Sequence, residues 1–128
     1  SAQMLSVLAK KTSNVQTVLA DAESLPFPND NFDMVTAAFL IVHLKDPTVF
    51  FTEVHRVLKD GGRFLVTNIN QRKAPEVKTE AGAIIIESHY HRPEKVRGTL
   101  EALAFTVEKE IFVKEGDTWI NQIVLARK

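Results

Sequence analysis

Cysteine is absent from this 128-residue chain, which leaves no disulfide framework and no thiolate chemistry. An excess of charge is absent too, since sixteen basic and sixteen acidic residues cancel. A neutral chain gives no reason to expect a nucleic-acid backbone or an anionic membrane as its main partner. No apolar run approaches the length of a membrane span, and no charged-then-apolar leader precedes a cleavage site. The cytoplasm is the expected compartment. Glycine is scarce: Gly61, Gly62, Gly82, Gly98 and Gly116 are its five positions, and none forms a G-x-G cluster. A helix start with clustered glycines is what lets backbone amides close on a charged ligand, so that device is missing.

What is present is ordinary for a globular protein, with 45% apolar and 25% charged residues. The length predicts a single domain over residues 1–128, able to bury roughly two-thirds of the surface its unfolded chain exposes. Ala2, Met4, Leu5, Leu8 and Ala9 form a helical stripe. Ser1 is its N-cap, and Lys10 and Lys11 face the negative end of its dipole. A chain that opens on a capped helix without an initiator Met reads either as a removed start or tag, or as upstream sequence that was cut away or never existed. Val15 to Leu19, rich in β-branched residues, predicts a short strand. Pro26 and Pro28 make Ala20 to Asn31 mostly loop.

Phe32 to Phe39 is a near-continuous apolar run after Asp33, prolonged by Leu40-Ile41-Val42, as suits a strand buried on both faces of a parallel sheet. Asp46-Pro47 starts a helix whose buried stripe is Phe50, Val54, Val57 and Leu58, and which Gly61-Gly62 stops. Arg63 to Asn68 is the next strand. Asn70 to Glu80 reads as a loop, and Ala81 to Tyr90 is ambiguous between strand and helix. Arg92-Pro93-Glu94 opens a helix with Val96, Leu100, Leu103 and Ala104 on one face. Thr106 to Val113, a turn at Lys114-Glu115-Gly116-Asp117, and Trp119 to Ala126 form a hairpin. Strands alternating with helices and closed by an antiparallel hairpin predict an α/β fold with a mixed sheet. Ligands of such sheets sit beyond the strands' carboxyl ends, which here carry Asp21, Phe39 to His43, Asn68 and Asn70.

Asp21-Ala22-Glu23-Ser24-Leu25-Pro26-Phe27, Asn31-Phe32-Asp33, His43-Leu44, and Glu53 followed by Arg56-Val57-Leu58-Lys59-Asp60-Gly61-Gly62 occur in that order. Together they resemble the class I S-adenosylmethionine-dependent methyltransferases, closest to the small-molecule branch of the ubiquinone and menaquinone methylases. The resemblance implies a Rossmann-like methyltransferase fold, S-adenosylmethionine as cofactor and a small-molecule methyl acceptor. It implies that Asp21 accepts a hydrogen bond from the adenine amino group and that the Ala22 amide contacts the ring. Ala38, Phe39 and Leu40 would line the ribose and methionine side, and His43 would stand near the substrate as a base. No metal is implied. Other readings stand beside these. Asp21 also suits a turn cap, and His43 a packing residue. Asp33 suits an anchor at the strand entry, and Trp119 a hairpin packing residue. Glu53 and Arg56, three apart on a helix, suit an ion pair. His89 and His91 invite a metal reading but lack a third ligand nearby.

This chain departs from the family in one respect: the Gly-rich loop and the acid that binds the ribose hydroxyls would lie upstream of its first helix. The family's sheet order also places two strands between this chain's first strand and its second. The fold is therefore expected to be incomplete, with the edge of Phe32 to Val42 left open. Three repairs are foreseen: Val15 to Leu19 closing up beside that edge, two copies pairing as a homodimer, or a separate chain supplying the missing half. Two functions follow. One is a methyltransferase, or a truncated member of the family. The alternative is a non-catalytic module that acts by dimerising or by completing a partner chain.

Overall fold

A computed structural model describes residues 1–128. Its central element is β2 (Leu58–Ile69), which pairs in parallel with β1 (Phe32–Ala37) and antiparallel with β6 (Thr118–Arg127). β5 (Thr106–Glu115) completes a four-stranded sheet of order β1-β2-β6-β5. The sheet is mixed and the fold α/β, as the alternating pattern predicts. Gly116 closes the β5–β6 hairpin at φ +61°, a left-handed turn that glycine adopts without steric cost.

Register sorts the side chains by face. Val35 stands opposite Phe64, and Ala37 opposite Val66, while Ala126 and Val124 flank the same pair from β6. Against that face pack α2 (Thr48–Val57) and α3 (Pro93–Ala102). α2 contributes Phe50, Phe51 and Val54, α3 contributes Val96 and Leu100, and Phe105 fills the space beyond α3. Phe51 and Phe64 meet edge to face at 5.7 Å, and Phe50 and Phe64 at 6.0 Å. Each such ring contributes about 1.5–3 kcal/mol by burial alone. The expected stripe of Phe50, Val54, Val57 and Leu58 is buried throughout. The opposite sheet face carries Leu65, Ile123 and Leu125, half-buried, and Ile111 and Val113, both more than 40% exposed.

Several boundaries differ from the sequence expectation. Val15 to Leu19 forms no strand: the segment is extended, has no place in a sheet, and leaves Leu19 66% exposed. A strand exists through its ladder bonds, and β-branched residues without a partner supply only the preference. It therefore does not close the edge of β1, which has β2 as its only neighbour and leaves Met34 49% exposed. β1 itself stops at Ala37, because Phe39 adopts φ +56° and cannot continue a strand. Leu40-Ile41-Val42 does not prolong the strand; Ile41–His43 is a single 3-10 turn that buries Ile41 and Val42.

Gly61-Gly62 does not stop α2. The helix ends at Val57, Leu58 is already extended, and the two glycines lie in a bulge at the start of β2. Gly61 has φ +78°. A Cβ on Gly62 would stand 2.8 Å from the Lys59 carbonyl oxygen and 3.1 Å from that of Asp33. The pair lets β2 bulge close against β1. At the other end of α2, Pro47 is the cap residue, one position later than Asp46, whose Oδ1 accepts from the Thr48 amide at 3.0 Å and the Thr48 hydroxyl at 2.6 Å and so still ties down the first turn.

The polar stretch read as loop, and the ambiguous stretch after it, contain a separate hairpin of β3 (Glu76–Thr79) and β4 (Gly82–Ile85), exposed throughout. α3 ends at Ala102, and Ala104 turns away at φ +68°, so the apolar face closes with Leu103 and Phe105. α1 (Ala2–Lys11) is capped by Ser1, whose hydroxyl accepts from the Met4 amide at 3.2 Å. It buries no residue, and Met4 and Val7 are exposed. No helix is long and apolar enough to cross a membrane.

Candidate functional site

The parallel pair β1–β2 directs its carboxyl ends toward one rim, where chain leaves β1 as Ala38-Phe39-Leu40 and leaves β2 at Asn70. The exit from β1 is unusual. Phe39 holds a left-handed backbone, uncommon for an aromatic residue, and its amide donates to Thr67 Oγ1 of β2 at 3.0 Å. Local strain of this kind persists where surrounding structure holds it, here a side-chain acceptor on the neighbouring strand. Phe39 is left 56% exposed at the rim.

The acidic loop folds back on itself. Asp21 Oδ1 accepts from the Glu23 amide at 2.8 Å, and the Asp21 carbonyl accepts from Ser24 at 3.0 Å. The turn-capping reading of Asp21 is thus present in the geometry, and it uses one carboxylate oxygen while the residue stays exposed. Beneath the loop lies an apolar cavity of about 390 Å³. Ala20, Ala22, Leu25 and Phe27 line it from the loop, and Leu40 from the exit of β1. Of the six residues singled out in the sequence, Ala22 and Leu40 share this cavity. Asp21 lies between two of its lining residues. Ala38 and Phe39 are exposed beside it, and His43 is exposed on the 3-10 turn.

Two residues that periodicity marks only as an ion pair hold the loop in place. Arg56 Nε and Nη2 donate to the two carboxylate oxygens of Glu53 at 2.9 and 3.0 Å. Arg56 also donates through Nη2 to the Leu25 carbonyl at 3.0 Å, and through Nη1 to the Phe27 carbonyl at 2.8 Å and Asn29 Oδ1 at 3.0 Å. The Leu25 amide in turn donates to Glu53 Oε2 at 2.8 Å. Arg56 and then the Leu25 amide hold the Glu53 carboxyl below its usual range, and Glu53 raises the Arg56 guanidinium above its own. Their spacing was legible; the backbone groups they reach, far away in sequence, were not. Thr67 carried no sequence signal at all.

His89 and His91 take structural positions. The His91 ring donates from Nε2 toward the Ile41 and Leu44 carbonyls at 2.8 and 2.9 Å, and the His89 amide donates to the Val42 carbonyl at 2.7 Å. They tie the segment before α3 to the 3-10 turn. Buried Asn68 extends the tie: its Nδ2 donates to the His91 carbonyl at 3.0 Å and to Gln122 Oε1 at 3.1 Å. Trp119 stacks beside Tyr90 and Phe112 at 6.3 Å each, which makes it the hairpin packing residue expected.

An apolar slot of this kind offers surface for a flat ring, and Asp21, between Ala20 and Ala22 in sequence, keeps one carboxylate oxygen outside its turn. No glycine flanks the slot, and none of the glycines lies near the β1 exit in sequence.

The family described as "Methyltransferase domain" matches residues 1–66. Ubiquinone/menaquinone biosynthesis C-methyltransferase UbiE of Marinomonas sp. is 45% identical over 58 residues, which are 45% of this chain and 23% of that protein. The mitochondrial 2-methoxy-6-polyprenyl-1,4-benzoquinol methylase of Homo sapiens is 48% identical over 58 residues, 45% of this chain and 18% of that protein. The matched segment thus spans less than a quarter of these curated relatives. Among solved structures, an S-adenosylmethionine dependent methyltransferase from Mesorhizobium loti aligns over 100% of this chain and 77% of its own, with TM-score 0.79 and 17% identity. The [4+2]-cyclase SpnF aligns over 99% of this chain and 62% of its own, with TM-score 0.76 and 19% identity. At such identities these likenesses establish the fold and leave the chemistry to the site. With more than half its length matched, the chain belongs to the methyltransferase domain family, and its matched segment is similar to the ubiquinone and menaquinone methylases.

Proposed function

We propose that this chain forms the adenine-holding side of an S-adenosylmethionine-dependent methyltransferase that acts on a small-molecule acceptor. The observation that carries the reading is the cavity of about 390 Å³ in which Ala22 of the acidic loop and Leu40 of the β1 exit meet. S-adenosylmethionine, when bound, supplies a methyl group on a positively charged sulfur, ready for in-line transfer. The protein's own part is chiefly positioning, since alignment of two reactants accounts for a large share of such a barrier. Asp21 offers its free carboxylate oxygen to the adenine amine, and Ala22 its amide to the ring. Ala22, Leu25 and Phe27 exclude water from the ring faces. Ala38, Phe39 and Leu40 line the ribose and methionine side. His43, one turn further on, accepts the proton that the acceptor gives up.

The reading includes two further elements. The absence of cysteine supports a reducing, cytoplasmic setting. The one-sided pairing of β1 and the exposure of Met34 support self-association through that edge, as a homodimer whose contact lies against the Met34 wall of the same cavity. The decisive experiment for the function is thermal unfolding with and without S-adenosylhomocysteine, which occupies the same site and cannot react. Ligand at a hundredfold its dissociation constant stabilises by about 2.7 kcal/mol. A raised midpoint that Asp21→Asn diminishes supports the reading; a folded sample with no shift at millimolar ligand overturns it.

A further inference from the structure

Glu53 and Arg56 look like a surface pair one helical turn apart, an arrangement that ordinarily contributes a few tenths of a kcal/mol. Their bonding is different. They make two hydrogen bonds to each other and four to the loop over α2. From Ala20 to Asn29, every hydrogen bond that leaves the segment ends on one of these two side chains. The α2 backbone takes over only at Asp30 and Asn31, whose amides donate to the Arg56 and Val57 carbonyls at 3.0 and 2.8 Å. The clamped residues Leu25 and Phe27 are themselves walls of the apolar cavity. Arg56 is 31% exposed and Glu53 19%, so the bonds are partly shielded from water.

We propose that Glu53 and Arg56 are positioning residues that set the cavity's shape by clamping Leu25 to Asn29, so that cofactor affinity depends on two side chains that do not touch the cofactor. The inference rests on the proposed function for the identity of the ligand. The guanidinium suits this role because it is a rigid fork whose Nε, Nη1 and Nη2 reach five acceptor atoms on four residues, which an ammonium cannot reproduce. Glu53 works from the other side. It fixes the guanidinium plane and accepts the Leu25 amide, so loss of either partner frees the loop.

The test compares wild type, R56K, E53Q and the exchanged pair E53R/R56E, all below their unfolding midpoints. Three quantities are measured: S-adenosylhomocysteine affinity by calorimetry, hydrogen exchange at the Leu25 amide, and the unfolding midpoint. R56K is expected to weaken affinity roughly tenfold and to speed Leu25 exchange, in keeping with the loss of several charge-assisted bonds. E53Q keeps an acceptor for the Leu25 amide and is expected to fall between R56K and wild type. The exchanged pair restores opposite charges on α2 but not the loop bonds, so it is expected to recover the midpoint without recovering affinity or slow exchange. Wild-type affinity in R56K, or full recovery in the exchanged pair, overturns the clamp while leaving the proposed function standing. A folded wild type that does not bind S-adenosylhomocysteine overturns the proposed function, and the clamp's role in binding falls with it.

Discussion

At the scale of single residues, the site is built by contacts that cross long stretches of chain. The Phe39 amide reaches Thr67, and Arg56 reaches back to Leu25, Phe27 and Asn29. Glu53 gives this a pH signature. Its carboxyl lies below the ordinary value of 4.5 because Arg56, and then the Leu25 amide, favour the charged form. A depressed folded pKa stabilises fully above the unfolded value, and that contribution disappears as pH falls through the folded one. Acid titration followed at the Leu25 amide should therefore show slow exchange above pH 4.5 and loosening below it, with a flatter profile in E53Q. Gly62 makes a second prediction. Its Cβ position stands 2.8 Å from a backbone oxygen, so Gly62→Ala must move the bulge and should cost about 1–3 kcal/mol in urea unfolding. Ala22 and Leu40, which the family resemblance singles out, both line the cavity, whereas Thr67 could not be named from the sequence, its partner lying 28 positions away.

At the scale of elements, periodicity placed the helices, including α1, which buries no residue. α2 and α3 present Phe50, Val54, Val57, Val96 and Leu100 to one sheet face, and these positions followed from their spacing. The segment Val15 to Leu19 failed as a strand because β-branched residues supply a preference and not a partner. The hairpin β3–β4 was only half legible, β3 being read as loop and the stretch with β4 as ambiguous between strand and helix, because both strands are exposed and no buried face imposes an alternation. The same contrast predicts mutational cost. Leu100→Ala empties a position with no exposure and should destabilise by about 2–5 kcal/mol. Ile84→Ala, at a side chain 53% exposed on β4, should leave the unfolding midpoint nearly unchanged. Equal losses from the two substitutions would mean that the hairpin is covered in solution.

At the scale of the whole molecule, the sheet ends in two edge strands, β5 on one side and β1 on the other. An unpaired edge with an exposed apolar residue is a template for another strand, and natural proteins protect such edges with charge. Met34→Lys places a charge there at a position already half exposed, and because Met34 also lines the cavity the substitution reports on the edge only through the mass of the unliganded protein. Light scattering should give a dimer mass for the wild type and a monomer mass for M34K, with the midpoint hardly changed; a monomeric wild type contradicts the pairing. The central claim concerns the other feature of this edge, the cavity under the acidic loop. Amide NMR titration with S-adenosylhomocysteine tests it most directly. Ala22, Leu25 and Leu40 should shift together with a single dissociation constant, while β3 and β4 stay still. Saturable shifts confined to any other part of the chain, or none at millimolar ligand, would contradict it.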